Sequence, residues 1–103
     1  MNIELVRVDD RLIHAQVVEG WMRSIAADRI VIVSDEVAGD EIQKMMYSMS
    51  VPYRIGVSCL SISAAIGALK NDGFAGESVI ILLPSMYEAW RLVEAGVEIR
   101  TIN

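Results

Sequence analysis

Short apolar runs alternate with amphipathic stretches along the whole chain. The apolar runs predict strands over residues 3–8, 29–34, 53–59 and 78–83, and the start of a fifth over 97–102. Between them, apolar residues at helical spacing predict helices over residues 14–24, 39–49, 61–70 and 86–95. Residues typical of helix ends support these bounds. Pro52 forbids continuation of the second helix, and Gly96 suits the C′ position of the fourth. Ser61 or Ser63 can cap the third helix, and Ser85 can cap the fourth.

Strands that alternate with helices of about ten residues favour right-handed crossovers and a parallel sheet. We therefore predict a single α/β domain over residues 1–103, a doubly wound and mainly parallel sheet of about five strands with helices on both faces and a Rossmann-like order. Such sheets bind ligands outside the carboxyl ends of their strands. In the order 3-2-1-4-5, strands one and four are neighbours, so Pro84 and Ser85 would face the loop from Asp9 to His14. The plainer interpretation of Ser85 is a helix cap.

Composition narrows the function classes. Nine Lys and Arg residues are spread along the chain and the net charge is −5, which argues against a nucleic-acid partner. The 53% of hydrophobic residues fits a sheet buried on both faces. No apolar run reaches the roughly 18–20 residues of a membrane span, so the cytoplasm is the expected location. Cys59 is expected to be a buried thiol, and one Cys with one His does not make a zinc site.

The only histidine, His14, lies where the first strand gives way to the first helix, three residues after "DDR". A helix N-terminus offers free N–H groups and a positive partial charge, which together favour an anion. Histidine at such a place can act as acid and base, or can itself be phosphorylated. It can also be structural, as a lone histidine often is, and the residues alone leave this open.

If His14 is phosphorylated, its neighbours have definable roles. Backbone amides of residues 12–16 would hold the phosphoryl oxygens, and Arg11 or Arg7 would supply charge-assisted bonds. Asp9 or Asp10 would accept a hydrogen bond from the other ring nitrogen and fix its tautomer. No nucleotide-binding glycine motif is present, so no cofactor is expected.

The segment "RVDDRLIHAQVVEGW" resembles the active-site segment of the IIB components of the mannose/fructose/sorbose family of the phosphoenolpyruvate-dependent sugar phosphotransferase system. That family typically has R-[IV]-D-x-R-[LF]-[IL]-H-G-Q-V, and the matching positions are Arg7, Val8, Asp9, Arg11, Leu12, Ile13, His14, Gln16 and Val17. "RIVIVSDEVAGDEIQKMM" and "LVEAGVEIRTIN" resemble later parts of the same family.

The resemblance implies a phosphotransferase without a metal. His14 would receive a phosphoryl group from a phosphohistidine on a IIA domain and pass it to a sugar entering through membrane IIC and IID components. It would thus be a cytoplasmic chain held at the membrane by IIC/IID. We expect His14, Arg11 and Asp9 to carry the transfer. The remaining phosphate- or substrate-binding candidates are Arg7, Asp10, Ile13, Ala15, Gln16 and Ser85.

Two features depart from the family pattern. Ala15 stands where glycine is usual, and its methyl group favours the helix but crowds a phosphate. Members also usually continue beyond the position of Asn103, so the resemblance implies a IIB domain without that C-terminal portion. Two alternatives therefore stay open: a phosphorylatable regulatory module without sugar transfer, and a domain that binds an anion without covalent chemistry. Self-association is a further open alternative.

Overall fold

The computed structural model describes residues 1–13 and 26–102. Within these ranges it contains four strands and four helices. The strands are β1 (Asn2–Val8), β2 (Arg29–Val33), β3 (Gly56–Leu60) and β4 (Ser78–Leu83). The helices are α1 (Asp35–Ala38), α2 (Glu41–Met49), α3 (Ile62–Lys70) and α4 (Met86–Glu94). The helix predicted over residues 14–24 lies outside the described residues.

All described strand pairs are parallel, and the sheet order is β1-β4-β2-β3. The predicted α/β class with a parallel sheet is thus confirmed, and so is the pairing of strands one and four. The order 3-2-1-4-5 is wrong, because β4 lies between β1 and β2. The reason is burial: β2 and β4 are almost wholly apolar and are buried on both faces, whereas β1 carries Asn2, Glu4 and Arg7 and suits an edge.

Two apolar layers cover the sheet, one on each face. Alternate residues of the central strands divide between them, since Ile81 faces one layer and Ile80 and Leu82 face the other. The first layer packs under α3 and α4 and includes Val6, Val31, Val33, Ile62, Ala65, Leu69, Val79, Leu83, Ala89 and Leu92. The second packs under residues 12–13, α1 and α2 and includes Leu12, Ile13, Ala27, Ile30, Ile32, Val37 and Ile55.

The fifth strand predicted over residues 97–102 does not form in the described part of the chain. Val97 is buried, Ile99 and Ile102 contact the first apolar layer, and Glu98 and Arg100 are exposed, so the alternation of a strand is present. A cavity of about 510 Å³ is lined by residues 1–6, at the start of β1, on one side and by residues 97–101 on the other. Residues 97–102 are thus separated from β1 and form no hydrogen-bonded ladder with it in the described part of the chain.

The segment after β2 forms two helices where one over 39–49 was predicted. Ser34 caps α1 by accepting a hydrogen bond from the Val37 amide, and Asp40 caps α2. Bonds from the Gln43 backbone and side chain lower the pKa of the Asp40 carboxyl, as does one from the Ile42 amide. This cap stabilises α2 above the ordinary pKa of aspartate and loses its effect as the pH falls through the lowered value.

The other helix ends follow the sequence signals. Ser61 caps α3 and Ser85 caps α4, each by accepting from a backbone amide of the first turn. Gly96 follows α4 with φ +96°, a left-handed conformation that glycine adopts at low cost. The Lys70 ammonium donates to the Ala95 carbonyl at 2.9 Å and so satisfies the end of α4 from the end of α3.

Arg29 links neighbouring strands at the amino ends of the sheet. Its guanidinium donates to Glu77 Oε1 at 3.0 Å and to Ser58 Oγ at 2.8 Å, and lies 5.2 Å from the centre of the Phe74 ring. These contacts join β2, β3 and the turn before β4. Gly56 permits this position, because a Cβ there would lie 3.0 Å from Arg29 Cζ and Nη1.

We expect Gly56→Ala to destabilise the fold by about 1 kcal/mol, because the added methyl pushes the Arg29 guanidinium away from Glu77 and Ser58. The matched control is Gly67→Ala in α3, where a Cβ would meet nothing within 4 Å. That change should stabilise the fold by about 0.5–1 kcal/mol, since alanine is the better helix former. Urea unfolding of both variants measures the difference, and equal effects of the two changes would contradict this role of Arg29.

Candidate functional site

The carboxyl ends of β1 and β4 lie side by side. Val8 is paired with Leu83, and the Asp9 amide donates to the Leu83 carbonyl at 2.9 Å, so the pairing runs one residue past the end of β1. Beyond this point the segments that follow β1 and β4 run to opposite faces of the sheet, since Leu12 packs in the second apolar layer and Ala89 in the first. The carboxyl ends of neighbouring parallel strands whose chain exits diverge are the usual ligand position in such sheets.

Asp9 organises the loop that leaves β1. Its side chain is only 6% exposed, and its Oδ1 accepts a hydrogen bond from the Arg11 amide at 3.0 Å. The Asp9 carbonyl accepts from the Leu12 amide at 3.0 Å, which closes a turn over residues 9–12. Both the side chain and the backbone of one aspartate therefore determine the shape of the loop.

Two arginines approach the Asp9 carboxylate. Arg11 donates from Nε to Oδ1 at 3.3 Å and from Nη2 to Oδ2 at 3.4 Å, and Arg7 Nε lies 3.9 Å from Oδ2. These distances are long for hydrogen bonds, so attraction between opposite charges dominates the cluster. The Arg11 side chain is 59% exposed, so it presents a fixed positive charge to solvent at the carboxyl edge of the sheet.

Leu12 and Ile13 anchor the loop to the core. Leu12 has φ +52°, a left-handed conformation that costs a leucine roughly 1–2 kcal/mol. Its side chain is 3% exposed, and burial of a leucine contributes about 1.5–3 kcal/mol. Burial thus offsets the strain. Ile13 is buried beside it, so any role of Ile13 in anion binding falls to its backbone amide.

The structure brings some of the predicted site residues together. Arg7, Asp9 and Arg11 form the charge cluster, and Asp10 is exposed between the last two. Ser85 follows β4 at the same edge, but its hydroxyl caps α4 and bonds to Glu88, which confirms the plainer interpretation. His14, Ala15 and Gln16 lie outside the described residues, as does Asn103.

A second polar cluster at the same edge was not predicted. Ser34 is buried after β2, and Asp35 Oδ1 accepts from the Ile62 amide at 2.9 Å, which joins the start of α1 to the start of α3. The sequence signal was available, because "SD" directly follows the buried run "RIVIV". This cluster holds together the segments that follow β2 and β3, at the same edge of the sheet as Asp9.

The described residues also include the single cysteine of the chain. Cys59 is half-buried in β3, and burial raises the pKa of its thiol, which keeps it protonated and unreactive at neutral pH. Among the described residues no group of three His, Cys, Asp or Glu side chains could hold a metal ion. None of the helices described here is long and apolar enough to cross a membrane.

Comparison with known proteins supplies the family. The chain matches the family model for the PTS system sorbose subfamily IIB component over residues 3–103. It is 38% identical over 103 residues to the PTS system fructose-specific EIIB component of Bacillus subtilis, covering 100% of this chain and 63% of that protein. It is also 38% identical to the PTS system mannose-specific EIIAB component of Escherichia coli, covering 100% of this chain and 32% of that protein.

The fold agrees with this match. The crystal structure of the IIBSor domain of the sorbose permease from Klebsiella pneumoniae superposes with a TM-score of 0.90 at 33% identity, over 99% of this chain and 63% of that one. The chain therefore spans less than two thirds of the length of these relatives. Sequence and fold together place it in the sorbose subfamily of IIB components of the phosphotransferase system.

Proposed function

We propose that the chain is a phosphocarrier that accepts a phosphoryl group on His14 and passes it to a sugar. The observation that carries this proposal is the Asp9–Arg11 charge cluster at the carboxyl end of β1. It lies three to five residues before the histidine of the family motif and beside the end of β4. Family membership supplies the reaction class.

Arg11 is the described residue best suited to contact the phosphoryl group. Its guanidinium is exposed, is held in direction by Asp9, and retains N–H donors beyond the two that Asp9 accepts. Phosphoryl transfer passes through a loose transition state whose charge is spread over three oxygens, so a positioned guanidinium stabilises it. Asp9 then acts as a positioning residue through Arg11, besides its proposed role in orienting the His14 ring.

Transfer between two histidines needs little covalent work from the protein. The unprotonated ring nitrogen of His14 attacks phosphorus and the P–N bond of the donor breaks. The donor ring carries a proton on its other nitrogen, so it leaves as neutral imidazole. The proton on the other ring nitrogen of His14 stays in place, and a carboxylate that accepts it favours the attacking tautomer. No metal takes part in this scheme.

The partners follow from the reaction and from the names of relatives. We infer a IIA donor, since the Escherichia coli relative is named EIIAB. We also infer membrane IIC and IID components, through which the sugar that accepts the phosphoryl group would enter. This chain would lie in the cytoplasm and bind to them there. The relatives named here differ in their sugars, so fructose, mannose and sorbose are the first substrates to try.

Incubation with phosphoenolpyruvate, the general phosphotransferase proteins and a cognate IIA should add one acid-labile phosphoryl group, about 80 Da by intact mass. His14→Ala should abolish the adduct without loss of folding. An adduct that survives this change, or none on the unaltered chain, would contradict the proposal. Membranes that contain IIC and IID should discharge the phosphoprotein with the right sugar, whereas persistence with every sugar would favour the regulatory alternative.

Asp9→Asn should slow transfer to His14 about 10–100-fold, because Arg11 loses the charge that directs it. The amide oxygen of asparagine can still accept from the Arg11 backbone, so the turn is retained. The loss of a buried hydrogen-bonded charge should lower stability by about 1–3 kcal/mol. Asp10→Asn is the matched control, since it removes the same charge from the exposed neighbour. Single-turnover rates separate the two, and equal losses would mean that only the net charge of the loop matters.

A further inference from the structure

The helix α4 turns an apolar and aromatic stripe toward solvent. Met86, Tyr87, Trp90 and Val93 recur at i, i+1, i+4 and i+7 and are between 50% and 60% exposed. The other side of the helix is buried in the first apolar layer. Large apolar side chains at this spacing form one continuous exposed patch, which is a common mark of an interaction surface.

Contacts within the helix hold the aromatic part of this stripe in shape. Arg91 donates from Nη1 to the Tyr87 hydroxyl at 2.8 Å, and its guanidinium lies 5.7 Å from the centre of the Tyr87 ring. The centres of the Tyr87 and Trp90 rings are 6.2 Å apart, and the rings are tilted by 38° to one another. Tyrosine and tryptophan often dominate the energy of protein interfaces, and side chains that are already ordered lose little freedom on binding. The stripe is therefore suited to anchor a partner protein.

The course of α4 brings its first turns beside the charged Asp9 loop. β4 ends at Leu83, whose carbonyl accepts from the Asp9 amide, and α4 starts at Met86. The helix leads to residues 97–101, which line one cavity together with residues 1–6 at the start of β1. It therefore runs from the carboxyl ends of β1 and β4 toward the amino end of β1, over the face of the sheet that carries the first apolar layer.

The start of the stripe lies within the footprint of a protein that is centred on the end of β1. Neighbouring strands are about 4.8 Å apart, and Trp90 lies about 6 Å along the helix axis from the start of α4. A standard interface buries roughly 800 Å² on each partner, which is about 30 Å across if the interface is round. A partner of this size that covers the Arg11 guanidinium thus also covers Tyr87 and Trp90.

We propose that the stripe of α4 binds the domain that donates the phosphoryl group, a IIA phosphohistidine domain, and this inference rests on the proposed function. In the transfer the reacting atoms must approach to about 3–3.5 Å. A donor carried on a histidine side chain must therefore bring its folded domain against the end of β1, where α4 begins. The sugar is a small molecule, so its step does not by itself require a protein surface beside β1.

The chain carries a second exposed stripe that serves as a control. On α2 the residues Ile42, Met45, Met46 and Met49 are between 61% and 77% exposed. This helix lies between β2 and β3 in the chain and packs on the second apolar layer. Two strands separate β3 from β1, so α2 lies on the other face of the sheet from α4 and toward the other edge. A donor centred on the end of β1 leaves this stripe uncovered.

Single-turnover phosphorylation by a phosphorylated cognate IIA tests this surface. Trp90→Ala should raise the IIA concentration that gives half the maximal rate by about tenfold or more, because it removes an aromatic anchor, and should change the maximal rate by less than about twofold. Arg91→Ala releases the Tyr87 ring and should raise the same concentration by roughly threefold. Met46→Ala on α2 is the matched control and should change both quantities by less than about twofold. Circular dichroism of each variant confirms that the fold is retained.

Phosphoramidate, a phosphoryl donor without a protein surface, separates binding of the donor from the chemistry. The unaltered chain and Trp90→Ala should react with it at His14 at equal rates. A slower reaction of Trp90→Ala with phosphoramidate, or an unchanged half-saturating concentration of IIA, would overturn the inference and leave the phosphocarrier function intact. So would a defect confined to discharge by membranes with IIC and IID, since the stripe would then bind the acceptor. Failure of the unaltered chain to react with either donor would instead contradict the proposed function, and this inference with it.

Discussion

The burial of β4 on both faces is the constraint on which the rest of the structure depends. A six-residue run with five fully buried side chains can lie only inside the sheet, with a partner strand on each edge. That position forces β1 to one side of it and β2 to the other. It thereby sets the end of β1 beside the end of β4, where Asp9 continues the ladder to Leu83. The location of the charged Asp9 loop thus follows from core packing before any polar residue is considered.

Much of this could be predicted from the sequence. Local sequence signals predicted the helix ends at Ser61, Ser85 and Gly96 and the bounds of β4. The structure has these helix ends and this strand where they were predicted. The pairing of β1 with β4 was also predicted, and so was the position of the polar loop after β1 beside the end of β4. The motif around His14 identified the family, which the geometry of the described residues alone does not.

The errors have a common physical origin, which is that they depend on contacts distant in sequence. Strand order is decided by which strands are buried twice, and the polar residues of β1 indicated an edge that the predicted order ignored. The alternation in residues 97–102 does give an apolar and a polar face, but the fifth strand predicted there is absent from the described residues. A ladder also requires a neighbouring backbone at hydrogen-bonding distance, and a cavity occupies that place. The periodicity of a sequence shows which side chains share a face, but it does not show whether a neighbouring strand is present to pair with.

The two ends of the sheet use ion pairs in different ways. At the amino end Arg29 and Glu77 are buried to the same degree, 28% and 29% exposed, and both serve to join strands. At the carboxyl end the exposures are unequal, 6% for Asp9 and 59% for Arg11. The buried carboxylate is held by backbone and charge, so it keeps its place while the exposed guanidinium can share its donors with an incoming anion. Because the anion need not desolvate Asp9 to reach Arg11, binding there costs little reorganisation, which suits the transient phosphoryl site that we propose.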